Sequence, residues 1–215
     1  DRDNSAISHA LTMNRPLRVT TLDEDVYTLD GTPTDCVSLA LGKVLDRAPD
    51  LLVSGINSGP NIGDDITYSG TVSAAIEGTM YAVPSMAVSM AGDQPLDYTK
   101  ADSLIRELAR RVMDHGLPAN TLMNINIPAA DKPRGVKITR QGRRIWKQAV
   151  QEVRDPRGRV HYWIGGGTPL LDSGKDTDVR ALGEGYVSIS PIHLDLTNHE
   201  GISYFRDDLG LEKVL

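Results

Sequence analysis

Residues 53–78 read VSGINSGPNIGDDITYSGTVSAAIEG, and their order decides the fold. The run opens inside a short apolar stretch, 50–56 (DLLVSGI), of the kind expected for a strand buried on both faces. A polar, glycine-rich loop occupies 57–69. Residues 71–81 then return to helical spacing, with Val72, Ala75, Ile76 and Met80 on one side. The same alternation extends outward. Upstream, 19–22 and 26–29 are short strands around the acidic turn Asp23-Glu24-Asp25. A helix follows Gly31-Thr32-Pro33, with Thr34 as N-cap and Val37, Ala40, Leu41, Val44, Leu45 and Ala48 at helical spacing, until Pro49 stops it. Cys36 lies among these residues and reads as a buried small hydrophobe.

Downstream, 82–90 is a strand and 99–115 is the clearest helix. Leu104, Ile105, Leu108, Val112 and Met113 line one face of that helix, and Gly116 stands where a terminating glycine belongs. Residues 121–127, ended by Pro128, form another buried strand. After about residue 134 the pattern changes. A strand is expected over 136–140, a hairpin around Asp155-Pro156-Arg157-Gly158, a late strand over 186–192 and a weakly patterned helical tail over 201–215. Strands alternating with helices imply an α/β fold on a mainly parallel sheet. Residues 1–133 read as the core. Residues 134–215 read as a hairpin-rich extension of the same structural domain, suited to oligomerisation. Ligands of such sheets sit beyond the carboxyl ends of the strands, which directs attention to the 57–69 loop.

The chain has 215 residues, with 29 acidic and 23 basic side chains and a net charge of −6. That balance argues against broad DNA binding, which runs on Lys and Arg against phosphates. One Phe and two Trp are too few for a base-stacking platform. Neither a bilayer-spanning stretch nor a signal peptide is expected, and the single cysteine builds no intrachain disulfide and no cysteine-based zinc site. A cytoplasmic protein is the expectation.

Several residues carry chemistry. Asn57 comes directly off the first buried strand. Ser69, Gly70 and Thr71 precede a helix, whose free amides and dipole favour an anion such as phosphate. The same three residues also suit a turn and an ordinary N-cap. Asp64 and Asp65 offer oxygens to a hard cation, or form a solvated loop pair. Arg140, Arg143 and Arg144 meet a phosphate or line a solvated loop. His193 and Asp195, two apart on a strand, read as a hydrogen-bonded surface pair.

Four separated segments then give a resemblance: DRDNSAIS at the start, GTPTDCV at 31–37, the 53–78 run, and GYVSISPIHLDLT at 185–197. In this order they resemble the SurE family, the stationary-phase survival proteins, which are metal-dependent nucleotidases. The resemblance covers the chain to about residue 200. It implies a Rossmann-like three-layer core and a C-terminal arm that makes a homodimer or homotetramer. It implies hydrolysis of nucleoside 5′- and 3′-monophosphates, and of short polyphosphate, with a divalent cation, magnesium or manganese. Matched residue by residue, the cation ligands on this chain are Ser5 and Asn57, so the family pattern prefers Asn57 to Asp64 and Asp65. The family's Asn-Asp-Asp-Gly motif, which supplies two more ligands, precedes DRDNS and is not among these residues. The general acid and base are therefore unassigned. The alternative reading is a non-catalytic nucleotide- or phosphate-binding module, or an inactive fragment lacking the aspartate pair.

Overall fold

The computed structural model describes residues 6–92, 95–130, 132–147, 150–165, 168–171 and 174–214. A hairpin of β1 (Val19–Asp23) and β2 (Val26–Leu29) leads into α1 (Pro33–Leu39). The core then follows as β3 (Leu52–Ser58), α2 (Gly70–Met80), β4 (Ser85–Met90), α3 (Thr99–His115) and β5 (Thr121–Ile127). The rest comprises β6 (Val136–Ile138), β7 (Arg144–Lys147), β8 (Val150–Arg154), β9 (Val160–Ile164), β10 (Thr168–Leu171), α4 (Asp178–Gly183), β11 (Val187–His193) and α5 (His199–Ser203).

The main sheet has the order β3-β4-β5-β11-β6. β3, β4 and β5 are parallel, β11 runs antiparallel to β5, and β6 is parallel to β11. The fold is α/β with a mostly parallel sheet, and strands from beyond residue 134 complete it. The pleat of β4 and β5 divides the core. Met86, Val88, Met90, Ile125 and Ile127 pack with Ala101 and Val112 of α3. On the other face, Ala87 and Leu122 pack with Val72 and Ala75 of α2. Helices thus cover both faces, giving three layers. Each fully buried Met, Leu or Ile contributes roughly 1.5–3 kcal/mol of transfer free energy. Among the described residues β3 is an edge strand, and Val53 is exposed on it.

Some element ends differ from expectation. α1 is capped by Thr32, not Thr34. Pro33 sits in the first turn, and Thr32 and Asp35 cap each other reciprocally. The helix passes into a π-turn over Ala40–Val44 and gives way to extended backbone at Leu45, short of Pro49. Cys36 is exposed, because Thr34, Asp35 and Val37 form the buried face of α1. α3 matches its expected bounds, and Gly116 follows with φ of +72°. The tail after α5 consists of short turns over Tyr204–Asp208 and Leu211–Lys213. α4 and the antiparallel β7–β10 pair have no counterpart in the sequence reading. No helix among the described residues is long and apolar enough to cross a membrane.

Candidate functional site at the carboxyl end of the sheet

Asn57 lies at the carboxyl end of β3, opposite Ser89 of β4. The β3–β4 register shifts between Ser54 and Asn57, and Gly55 sits in that shift with φ of +121°. A Cβ there would stand 2.3 Å from the Val88 carbonyl oxygen, so the close approach of the two strands requires glycine. Asn57 Nδ2 donates to the Gly59 carbonyl at 2.8 Å, which turns Oδ1 the other way. Gly59 N donates to the Met90 carbonyl at 2.9 Å and keeps the loop against the end of β4.

The next stretch is fixed by a buried network. Asn61 N donates to Asn126 Oδ1 at 2.7 Å, and Asn61 Nδ2 donates to Ser89 Oγ at 2.7 Å. Asn124 Nδ2 and Asn126 Nδ2 donate to the Asn61 carbonyl at 2.9 and 3.0 Å. The reading from sequence missed these residues. The signal was there: in TLMNINI two asparagines recur with period two inside an otherwise apolar buried strand, so both point to one face.

Residues Gly63–Tyr68 form a 3₁₀ turn. Here Asp64 and Asp65 engage the extension. Arg144 N donates to Asp64 Oδ2 at 2.8 Å, and its guanidinium Nη1 meets Asp65 Oδ2 at 2.8 Å with both side chains about four-fifths buried. The three arginines do not converge, since Arg140 pairs with Asp176 at 3.0 Å. His193 and Asp195 also divide their contacts. Asp195 N donates to His193 Nδ1 at 3.0 Å, while the Asp195 carboxylate pairs with His199 Nε2 at 2.8 Å. The Thr197 hydroxyl and amide and then His199 hold that carboxyl well below the usual range.

Ser69 is the N-cap of α2, its Oγ accepting from Val72 N at 3.1 Å. Gly70 is buried; a Cβ on it would come within 3.0 Å of Pro33 Cγ and 3.1 Å of Ile7 Cγ2. Close packing of α1 and the N-terminal segment on α2 therefore explains this glycine. Thr71 is half-buried in the first turn. Ser8 N donates to the Tyr68 carbonyl at 3.0 Å, so the segment that follows Ser5 runs against the start of α2. Ser5 itself lies outside the described residues. The segment is tied down again by His9 Nε2, 2.8 Å from Glu77 Oε2 of α2, and Ser38 Oγ bonds the other Glu77 oxygen.

Of the cation ligands implied by resemblance, the described residues contain Asn57, one neutral oxygen. Among the described residues no group of three or more His, Cys, Asp or Glu is arranged to hold a metal ion. A hard dication draws its affinity from charged oxygen ligands, so this donor set does not by itself fit one.

The family model described as survival protein SurE matches residues 1–148. The chain is 50% identical over 200 residues to the 5′-nucleotidase SurE of Syntrophotalea carbinolica, covering 92% of this chain and 80% of that relative. It is 47% identical over 209 residues to the 5′-nucleotidase SurE of Geobacter sulfurreducens, covering 96% and 80%. Among solved structures it is similar to the SurE protein of Aquifex aeolicus, with a TM-score of 0.81 and 40% identity over 96% of this chain and 86% of that one. With its α/β sheet and the loop motif at the sheet's carboxyl end, the chain belongs to the SurE family.

Proposed function

We infer that this protein is a 5′-nucleotidase, a phosphoric monoester hydrolase acting on nucleoside 5′-monophosphates. The observation that carries the reading is the identity of 47–50% to relatives named for that activity, spanning nearly all of this chain. Hydrolysis of 3′-monophosphates and of short polyphosphate belongs to the same proposal.

The phosphate would sit at the start of α2. Ser69 Oγ accepts the Val72 amide, which leaves the hydroxyl proton to donate onward. The amides of Gly70 and Thr71 have no acceptor within the helix, and the dipole adds positive potential there. Together they would neutralise charge on the equatorial oxygens as the phosphoryl group transfers. Asn57 would contribute Oδ1, with Ser5, to a magnesium or manganese ion. The exposed apolar side chains Leu196, Phe205 and Leu211 support a dimer or tetramer contact by 134–215, and the acidic charge supports a protein that binds no DNA.

The test is phosphate release from a nucleoside 5′-monophosphate with manganese, against an EDTA control. Metal-dependent release supports the nucleotidase. In the full-length protein, Asn57→Ala is expected to lower metal-dependent turnover at least tenfold. Nucleotide binding without release would favour a non-catalytic binding module instead.

A further inference from the structure

Asp178 is the first residue of α4 and is fully buried. Its carboxylate accepts three backbone amides from three places. Oδ2 takes Gly63 N at 2.9 Å; Oδ1 takes Gly142 N at 2.8 Å and Val179 N at 2.7 Å. Gly63 is gripped at its other end as well, because Gln141 Nε2 donates to the Gly63 carbonyl at 3.0 Å. The packing is built to this contact. A Cβ on Gly142 would stand 2.9 Å from Asp178 Oδ1, and one on Gly63 would stand 3.0 Å from Arg144 N. A buried carboxylate is costly to desolvate and persists where donors meet it. Here those donors belong to the loop of the candidate site, the 141–144 segment and α4.

We propose that Asp178 is a positioning residue for the reaction, holding Gly63 so that the 3₁₀ turn after it delivers Ser69, Gly70 and Thr71 to the phosphate. This inference rests on the nucleotidase reading above. Asn61 anchors the loop from the core side, and Asp178 anchors it from the extension. Between Gly63 and Ser69 lies one short turn, so a shift at Gly63 reaches the helix start directly. A displacement of about 1 Å in a positioning element costs on the order of a hundredfold in rate.

The test uses the full-length protein and two variants, Asp178→Asn and Gln141→Leu. An asparagine has one acceptor oxygen, so its NH₂ opposes either Gly63 N or the Gly142 and Val179 amides. Gln141 is exposed, so its loss spares the fold if Asp178→Asn does not. Amide exchange is followed over 61–73, and kcat and KM are measured for a nucleoside 5′-monophosphate and for p-nitrophenyl phosphate. The assay temperature is one at which each variant is fully folded. Exchange over 63–71 is expected to rise about tenfold in Asp178→Asn while β4 and β5 stay protected. Turnover is expected to fall about tenfold on both substrates, because the loss lies at the phosphate and not at the base. Gln141→Leu is expected to move both readouts the same way by about threefold. A folded variant with unchanged exchange overturns the clamp, and one with raised exchange and unchanged kcat overturns its catalytic role. An inactive wild-type protein overturns the nucleotidase reading and that catalytic role with it, whereas the exchange result still decides whether Asp178 holds the loop.

Discussion

Asn61 and Asn126 bind each other in both directions: the Asn61 amide donates to Asn126 Oδ1 at 2.7 Å, and Asn126 Nδ2 donates to the Asn61 carbonyl at 3.0 Å. A side chain on β5 thus does for the loop what a neighbouring strand's backbone does in a sheet. It satisfies both polar groups of a buried residue that has no strand partner. The loop can therefore cross the carboxyl end of the sheet without leaving it.

Asn126→Ala should destabilise the protein by about 1–3 kcal/mol, because it strands a buried N–H and weakens the support of the carbonyl. Asn126→Asp should also destabilise it, since a carboxylate accepts from Asn61 N but donates nothing to Asn61 O. Denaturant unfolding curves for the two variants check this. A loss below ~0.5 kcal/mol in both would show that the loop does not depend on this pair.

Gly55→Ala should be among the most damaging single-methyl changes. It forces an L side chain to φ of +121° and drives a Cβ to 2.3 Å from the Val88 carbonyl oxygen. Backbone strain of this kind costs on the order of 1–3 kcal/mol before the clash is counted. A fall in the melting temperature by several degrees, or loss of soluble protein, is the expected result. Gly59→Ala shares a positive φ but meets no atom within 4 Å, and should cost less.

Arg144 and Asp65 form a pair 2.8 Å apart at about one-fifth exposure, between the screened surface case and full burial. A double-mutant cycle of Arg144→Ala and Asp65→Ala should give a coupling of about 1–2 kcal/mol. Salt should reduce it only slightly. Coupling near zero would mean the start of β7 does not brace the loop.

Asp35 should make α1 acid-sensitive. Burial raises its pKa, but bonds from Thr12 Oγ1, Thr12 N and Thr32 N outweigh that and hold it below the ordinary carboxyl value. A carboxyl lowered on folding contributes its stability above the unfolded pKa of about 4 and loses it as pH falls through the folded value. Asp35→Asn should therefore cost most near neutral pH and little at the lowest pH where the protein stays folded. Melting temperatures of the two proteins across pH 3–7 test this, and parallel curves would remove Asp35 as the acid-sensitive group.

The alternation of strands and helices was legible along the chain, because 3.6-residue and buried-run periodicities are local. The whole of α3 with its terminating Gly116 was legible this way, as were β5 and, to within one residue, the bounds of α2. The resemblance of four ordered motifs determined the family. The partner of each polar residue became visible with the packed fold. Asp64 and Asp65 looked like free oxygens until Arg144, some eighty residues on, came to rest on them. Asp178 showed no sign of its bond to Gly63, 115 residues away, because that contact depends on α4 folding back over the loop. Cys36 fell on the outer side of α1 because Thr34, Asp35 and Val37 took the inner one. Side-chain pairing across such distances is set by how the layers stack, and no local pattern of residue types encodes it.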